Sequence, residues 1–420
     1  MINIFKVEFK RMGKSKSNII IFGISIMITI ILAFFCIYSQ VSETVLPDGS
    51  YKILKGLSAI KVDTGRQSKM QGDVTSEKLI EALSKYKELH NKYGDNVPSD
   101  IDIKEVGPYK EFLTKILPYS FSDLVNRVDN QEILDLQHLT SKEAGTFYEQ
   151  RNKNQNDNFK KRLELSDSAQ KYAENMDNKV KKPFYFSPFI GWDTALEFLG
   201  IIMVFVAFMG CILVTPVFSS EYESGADDIM RCTKYGRKHL AIAKLIVANL
   251  IVLFLYIICM SIFYGITYIT LNTEGLNTSI QFIQAISPVA LTFGKAIFII
   301  MTIGLITVLS IVNFTLFLST RSKSSIFISS ISTIMIIFPM LTRFIIHNNY
   351  KNGSNIIKFL IAILPSGGIK IYDDLIREFN LFYIGDWVIW SPYVIVTSSI
   401  LMLICFFLLS VYSYSKHESR

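Results

Sequence analysis

LEFLGIIMVFVAFMGCILVTPVFSSEYESGADDIMRCTKYGRKHLAIAK, Leu196–Lys244, is apolar up to Phe218, polar for the next twenty or so residues, and apolar again from Ala241. The second apolar run continues to Leu271. A hydrocarbon core is crossed by ~20 apolar residues in a helix. Backbone left unpaired in lipid is too costly for other open forms. Both runs therefore read as spanning helices and the polar piece between them as a loop. That loop holds Arg231, Lys234, Arg237 and Lys238, and short loops rich in Lys and Arg stay on the cytoplasmic side.

The same apolar texture recurs at Ile19–Tyr38, Ala290–Leu318, Ile326–Ile346 and Pro392–Tyr412. Half of the 420 residues are hydrophobic and the mean hydropathy is +0.33. The sequence thus predicts an all-α integral membrane protein with six transmembrane helices. Other charges agree on the sidedness. Lys6, Lys10, Arg11, Lys14 and Lys16 precede the first span, Arg321 and Lys323 follow the fourth, and Lys416 and Arg420 lie in the tail. The loop Asn272–Val289 has no Lys or Arg. Both termini are expected inside. The first span reads as an uncleaved anchor, because it is about twice a signal-peptide core in length and lacks a small-x-small site after it. One outer loop, His347–Ser391, breaks the charge rule with Lys351, Lys358, Lys370 and Arg377. Its short apolar run Phe359–Leu364, ended by Pro365-Ser366-Gly367-Gly368, suits a re-entrant or surface helix better than a seventh crossing.

The expected layout is 1–40 interfacial helix and first span, 41–190 extracellular domain, 191–218 second span, and 219–240 coupling segment. Then come 241–346 for spans three to five, 347–391 for the outer loop, and 392–420 for the last span and tail. Val41–Pro183 holds 23 Lys/Arg and 23 Asp/Glu, so the net +7 lies entirely elsewhere. A neutral domain has no excess with which to neutralise phosphates, which argues against nucleic acid as a partner. Apolar residues recur at helical spacing in Thr75–Tyr93 (Leu79, Leu83, Tyr86, Leu89), Tyr109–Leu117 and Asn156–Asn178. Gly94-Asp95-Asn96-Val97-Pro98 and Val106-Gly107-Pro108 punctuate them. The domain should be mostly helical, with room for a long helix pair rising from the first two spans. Cargo capture, a lid, partner binding and a plain structural cap all remain open for it.

Five cysteines (Cys36, Cys211, Cys232, Cys259, Cys405) lie outside this domain, so no disulfide framework holds it. There is no phosphate-binding P-loop, H-E-x-x-H, paired C-x-x-C or G-x-S-x-G. The chain is therefore not expected to be an enzyme or to bind a cofactor or metal, and its five histidines are dispersed. Lys295 and Lys244 lie near span ends, where a long side chain can snorkel to the interface. No carboxylate sits at membrane depth to bind a coupling ion; Asp193 and Glu197 are too shallow. Asn249 and Asn313 are the polar exceptions, read as an interhelical hydrogen bond or as lining of a path.

Within the cytoplasmic loop, Ala226, Ile229, Met230 and Thr233 share one helical face, with Asp227, Asp228, Arg231 and Lys234 away from it. A short helix lying along the membrane follows, of a kind that a soluble partner's groove can grip. The spacing E-(x3)-G, then T-x-x-[SG]-R, then a lysine opening the next span resembles ABC type-2 exporter permeases. The positions are Glu221, Gly225, Thr233, Gly236, Arg237 and Lys244. The amphipathic basic N-terminus (Phe5, Lys6, Phe9, Lys10, Arg11) and Leu364-Pro365 before the last span fit the same family. Lys234 stands where many members have proline, and the first outer loop is far longer than usual. The resemblance implies a permease in a bacterial cell membrane, with Gly225–Lys238 coupling to a separate ABC ATP-binding subunit that carries ATP and Mg. Glu221 would brace the second span's end, and Arg237 would pair with the partner or with membrane lipid. Asp227, Asp228 and Arg231 belong to the same contact. A second permease protomer, identical or paralogous, would complete the path. Amphipathic cargo (a peptide antimicrobial, a lipid-like compound or a drug) suits the apolar spans by analogy. The rival readings are an ABC-linked sensor or resistance module and an envelope scaffold without transport.

Overall fold

The computed structural model describes residues 2–45, 51–93, 102–118, 136–233, 236–347 and 354–416. Helix α1 (Ile2–Gly13) leads into α2 (Lys16–Tyr38), which passes directly into an antiparallel hairpin of β1 (Val41–Val45) and β2 (Tyr51–Lys55). The inserted domain continues with α3 (Leu57–Ser68), β3 (Gly72–Asp73), α4 (Ser76–Tyr93) and α5 (Gly107–Ile116). It closes with α6 (Ser141–Gly145), α7 (Phe147–Asp157), α8 (Asp167–Asp177) and β4 (Tyr185–Phe186), which pairs with β3. After it come α9 (Trp192–Val214), α10 (Pro216–Ser224), α11 (Ala226–Arg231), α12 (Lys238–Thr270), α13 (Phe293–Ser319) and α14 (Ser325–His347). Helix α15 (Ser354–Ala362), the hairpin β5 (Leu381–Ile384)–β6 (Trp387–Trp390) and α16 (Ser391–Lys416) end the described chain.

Among the described residues, five helices are long and apolar enough to cross a membrane: α2, α9 continued by α10, α12, α13 and α16. The protein is a multi-pass, mainly helical membrane protein. The sixth expected span coincides with α14, but the apolar stretch described there is only Ser325–Leu341. The helix itself runs to His347, with Pro339 inside it.

Helix α13 is the centre of the bundle, packed on α9, α12, α14 and α16. Close approach comes from a small residue. At Gly210 of α9, Val252 of α12 and Val312 of α13 come within 3.2 and 3.3 Å of where a Cβ would stand. Pro216 has no N–H to continue the α9 ladder, and one hydroxyl bridges the break. Ser319 of α13 donates to the Thr215 carbonyl at 2.7 Å and accepts from the amides of Phe218 and Ser219 at 3.2 and 3.1 Å. The helix runs on as α10 with the Thr215 carbonyl and the Phe218 and Ser219 amides all held by that one side chain.

The inserted domain holds helices at two of the three expected places, α4 and α5. The third segment, Asn156–Asn178, is interrupted. Helix α7 ends at Asp157, a π-helical turn covers Asn158–Arg162, and α8 starts afresh where the Ser166 hydroxyl accepts from the Ala169 amide. Among the described residues no helix pair rises from the first two spans; α2 stops at Tyr38 and the chain turns into β1 because Val41–Val45 can pair with Tyr51–Lys55. The Gly94–Pro98 turn lies outside the described residues. An aromatic seam fastens the domain to the bundle: Phe112 and Phe186 meet Phe282 of the α12–α13 loop, and Phe189 lies 5.0 Å from Phe293, the first residue of α13. Such packed rings contribute ~0.5–1.5 kcal/mol per pair beyond burial.

Candidate functional site

At the bundle end opposite the inserted domain, four ionisable side chains from three helices meet, three of them buried and the fourth, Arg11, partly exposed. Glu221 of α10 is 4% exposed and Lys244 of α12 is fully buried. The two are ion-paired. Arg11 of α1 donates to the same Glu221 carboxylate at 2.6 Å and reaches Glu8, also buried, at 2.8 Å. The charges sum to zero, which a low-dielectric site demands of buried ions. Lys244 lies 5.4 Å from the Phe218 ring and 6.0 Å from the Tyr414 ring, where aromatic faces add a further attraction for the ammonium. Snorkelling, the expectation for Lys244, is thus replaced by pairing. The reason is that Glu221 comes within reach of Lys244 before water does.

Helix α11 is joined to this cluster through its charges. Its start is set by Gly225 at φ +70°, whose amide bonds the Glu221 carbonyl to close α10 in a left-handed C-cap. Asp227 is buried and pairs with Arg231 at 3.6 Å. Arg231 donates to the Tyr414 carbonyl at 2.7 Å and stacks 4.6 Å from the Tyr414 ring. Tyr222 also stacks on Tyr414, with ring centroids 6.4 Å apart. The expected packed face is only half kept: Met230 packs on the core and Ala226 is half-buried, but Ile229 is 76% exposed and Thr233 is exposed, while Asp227 is inside. Six residues make under two turns, too few for an apolar period to outweigh an ion pair and a stacked guanidinium.

The other sequence candidates fall around this core. Asp228 and Arg237 are exposed. Thr233 donates to the Met230 carbonyl at 2.7 Å and accepts the Gly236 amide on its own carbonyl at 3.1 Å. Gly236 is fixed by space, because a Cβ there would collide with the Met230 carbonyl. Lys234 lies outside the described residues. Deeper in the bundle, Asn249 of α12 and Asn313 of α13 exchange amide hydrogen bonds, at 2.7 Å from Asn313 and 3.2 Å from Asn249. Each also donates to the carbonyl four residues back, at 2.8 Å. Their amides are engaged with each other and with the backbone, the plainer of the two expected roles. Sequence reasoning missed Tyr414 and Glu8, and it did not connect Arg11 to Glu221.

A second cluster ties the inserted domain to the α12–α13 loop. Arg151 of α7 is fully buried and clasps Asp177 of α8 through two nitrogens at 2.8 and 3.1 Å. The same guanidinium donates to the carbonyls of Ala285 and Ser287, and Gln155 donates to Asp177 and to the Ile286 carbonyl. Burial works against the Asp177 carboxylate, but Arg151, with Lys182 and Gln155, outweighs it and holds its pKa below the ordinary range. Farther along, the Gly367–Lys370 turn presses its Gly368 backbone against Thr307, halfway along α13. Beside that turn, burial pushes Asp374 up to about 6, against Lys370 and hydrogen bonds from Asn380 and Ser391.

No group of three or more His, Cys, Asp or Glu among the described residues could hold a metal ion. What the first cluster can do is mechanical. One carboxylate joins α1, α10 and α12, and Arg231 joins α11 to the end of α16. Compared with known proteins, the chain matches no family model and no curated protein.

Proposed function

We propose that the chain is the membrane-spanning permease subunit of an ATP-driven ABC exporter. It would form the translocation path with a second protomer and be coupled to a separate ATP-hydrolysing subunit. One observation carries the reading: an exposed turn, with Asp228 and Ile229 at its tip, is fastened through Gly225, Arg231 and Glu221 to α1, α10, α12 and α16. A soluble motor that displaced this turn would move four helices together. The exporter reading also takes α14 as a sixth crossing, both termini in the cytoplasm, and the 354–390 segment as re-entrant at the level of Thr307. Amphipathic cargo and a bacterial cell membrane belong to the same proposal.

The clasp of Arg151 favours a second use of the same machine. A ligand on the inserted domain would pull on the α12–α13 loop, so the complex could report a compound to its ATPase instead of exporting it. Affinity purification of the full chain tests the shared core. An ATP-hydrolysing subunit should co-purify and be lost in an Ile229→Asp/Arg237→Glu variant, whose changes are on the exposed side. ATP-dependent movement of a compound into inverted proteoliposomes separates export from sensing. Absence of any ATPase partner defeats both readings. So does labelling of exposed Cys232 by an impermeant maleimide on intact cells, with Cys405→Ser removing the other exposed thiol.

A further inference from the structure

Where the inserted domain meets the bundle, a cavity of about 410 Å³ opens to solvent. Lys179 and Lys181, after α8, line one side and Lys295, in the first turn of α13, the other. All three are exposed, and no aspartate or glutamate lines the cavity. None of the three has an ion-pair partner among the described residues, whereas neighbouring Lys182 is engaged by Asp177. The wall behind them is preformed. Gln281, fully buried, donates to the carbonyls of Ser287 and Val289 at 3.1 and 2.9 Å and accepts from Ser279 at 2.6 Å. Arg151 holds the next turn of the same loop. Three uncompensated ammonium groups around a rigid polar pocket make a site for an anion.

Its level relative to lipid narrows the anion. A hydrocarbon core of ~30 Å is spanned by ~20 helical residues. Counted back from Ser319 at the far end of α13, that distance reaches about Ile299. Lys295 then lies just above the hydrocarbon, in the headgroup layer. Phe298, three residues on and on the same helix face, is 72% exposed, with Thr302 also exposed below it. The cavity thus stands on top of a lipid-facing ridge.

We propose that this cavity binds a phosphate-bearing anion, supplied by the membrane as the headgroup of an anionic phospholipid whose chains lie along α13. The inference needs only that α13 crosses the membrane, and it stands or falls apart from the exporter reading. Full-length protein in a zwitterionic detergent would be titrated with phosphatidylglycerol and, separately, with inorganic phosphate. Native mass spectrometry reads retained lipid, and thermal melting reads free phosphate. Each lysine near an anionic headgroup contributes roughly fivefold in binding, so Lys179→Gln/Lys181→Gln/Lys295→Gln should lose on the order of a hundredfold. The corresponding triple arginine variant should keep binding. Lys52→Gln/Lys61→Gln/Lys153→Gln makes the same charge change at exposed lysines elsewhere in the domain and should behave as the native chain. Loss of lipid retention in the site variant alone assigns the lipid source. Loss of only the phosphate-induced melting shift, again in the site variant alone, supports the anion site with free phosphate as its source. If the site variant keeps both responses, or both sets of glutamine changes weaken them equally, the proposal is overturned.

Discussion

Replacing Glu221 by glutamine should destabilise the chain more than replacing Lys244 by methionine, although the two side chains form one ion pair. Removing one partner from a buried pair costs ~3–5 kcal/mol, because the other charge is left in a low-dielectric site without compensation. In Glu221→Gln that full penalty falls on Lys244, which is completely buried. Arg11 still has Glu8 at 2.8 Å and is partly exposed. In Lys244→Met the remaining Glu221 keeps Arg11 at 2.6 Å. Its loss should therefore stay near ~1–2 kcal/mol, the scale of one charged hydrogen bond and some packing. The double variant removes both charges and leaves the Glu8–Arg11 pair intact. It should be more stable than the sum of the single changes by ~2–3 kcal/mol, well outside the ~0.5 kcal/mol within which independent sites add. Denaturant unfolding of purified full-length protein in detergent, followed by tryptophan fluorescence, measures all four members of the cycle. Additive losses, or a Lys244→Met loss equal to that of Glu221→Gln, would show that Glu221 does not anchor two cations at once. Glu221 would then not brace α1 and α12 together.

Three further outcomes follow from the geometry. Arg151→Met should cost ~1–3 kcal/mol and release the inserted domain first, since it leaves the Ala285 carbonyl unpartnered while Asp177 keeps Lys182 and Gln155 and the Ser287 carbonyl keeps Gln281; limited proteolysis should cut the domain while the bundle fragment persists. Asp374 has a folded pKa of about 6 against an ordinary 3.8. Its raised value means the folded chain holds the proton longer, so stability is full below pH 4 and is lost as pH rises through 6. Asp374→Asn should abolish that slope, worth at most ~3 kcal/mol, and melting curves from pH 4 to 7 that stay parallel for the two proteins would refute it. Gly225→Ala places a Cβ in the left-handed region at a cost of ~1–2 kcal/mol. A larger effect on ATPase co-purification than on melting would mark the α10–α11 corner as part of the coupling, and an effect on melting alone would reduce it to a cap.

The bundle was readable in the sequence because lipid leaves a chain few options, so an apolar run of sufficient length has one local structure. Gly225 was singled out only through the resemblance, and the left-handed C-cap that favours glycine there emerged from the structure. The Asn249–Asn313 bond was foreseeable as a kind, since an amide in a span must find a partner. The inserted domain was less legible. The β1–β2 pairing depends on residues across a turn, and Arg151 sits in a polar helix, FYEQRNKNQND, that gives no sign of burial. The central cluster failed for a different reason. Glu221, Lys244 and Arg11 each look ordinary near the end of an apolar run, and 210 residues separate Arg11 from its partner.

Neutrality is the constraint that could have joined them. Charges at the edge of a bundle must either reach water or cancel, and the side chains near this end offer few combinations that cancel. Glu8 with Arg11, Glu221 with Lys244 and Asp227 with Arg231 account for every buried charge described there. What neutrality does not absorb is then informative. Asp228, Arg237 and Lys238 remain exposed beside Ile229, a large apolar side chain held out into solvent by a helix whose other face is pinned. An exposed apolar side chain together with uncancelled charges has the composition of a small contact patch, and under the proposed function a force applied there would reach the spans through its rigid backing. For the proposed motor-driven permease, the charges left over once the buried ones have been paired are those a soluble partner would meet.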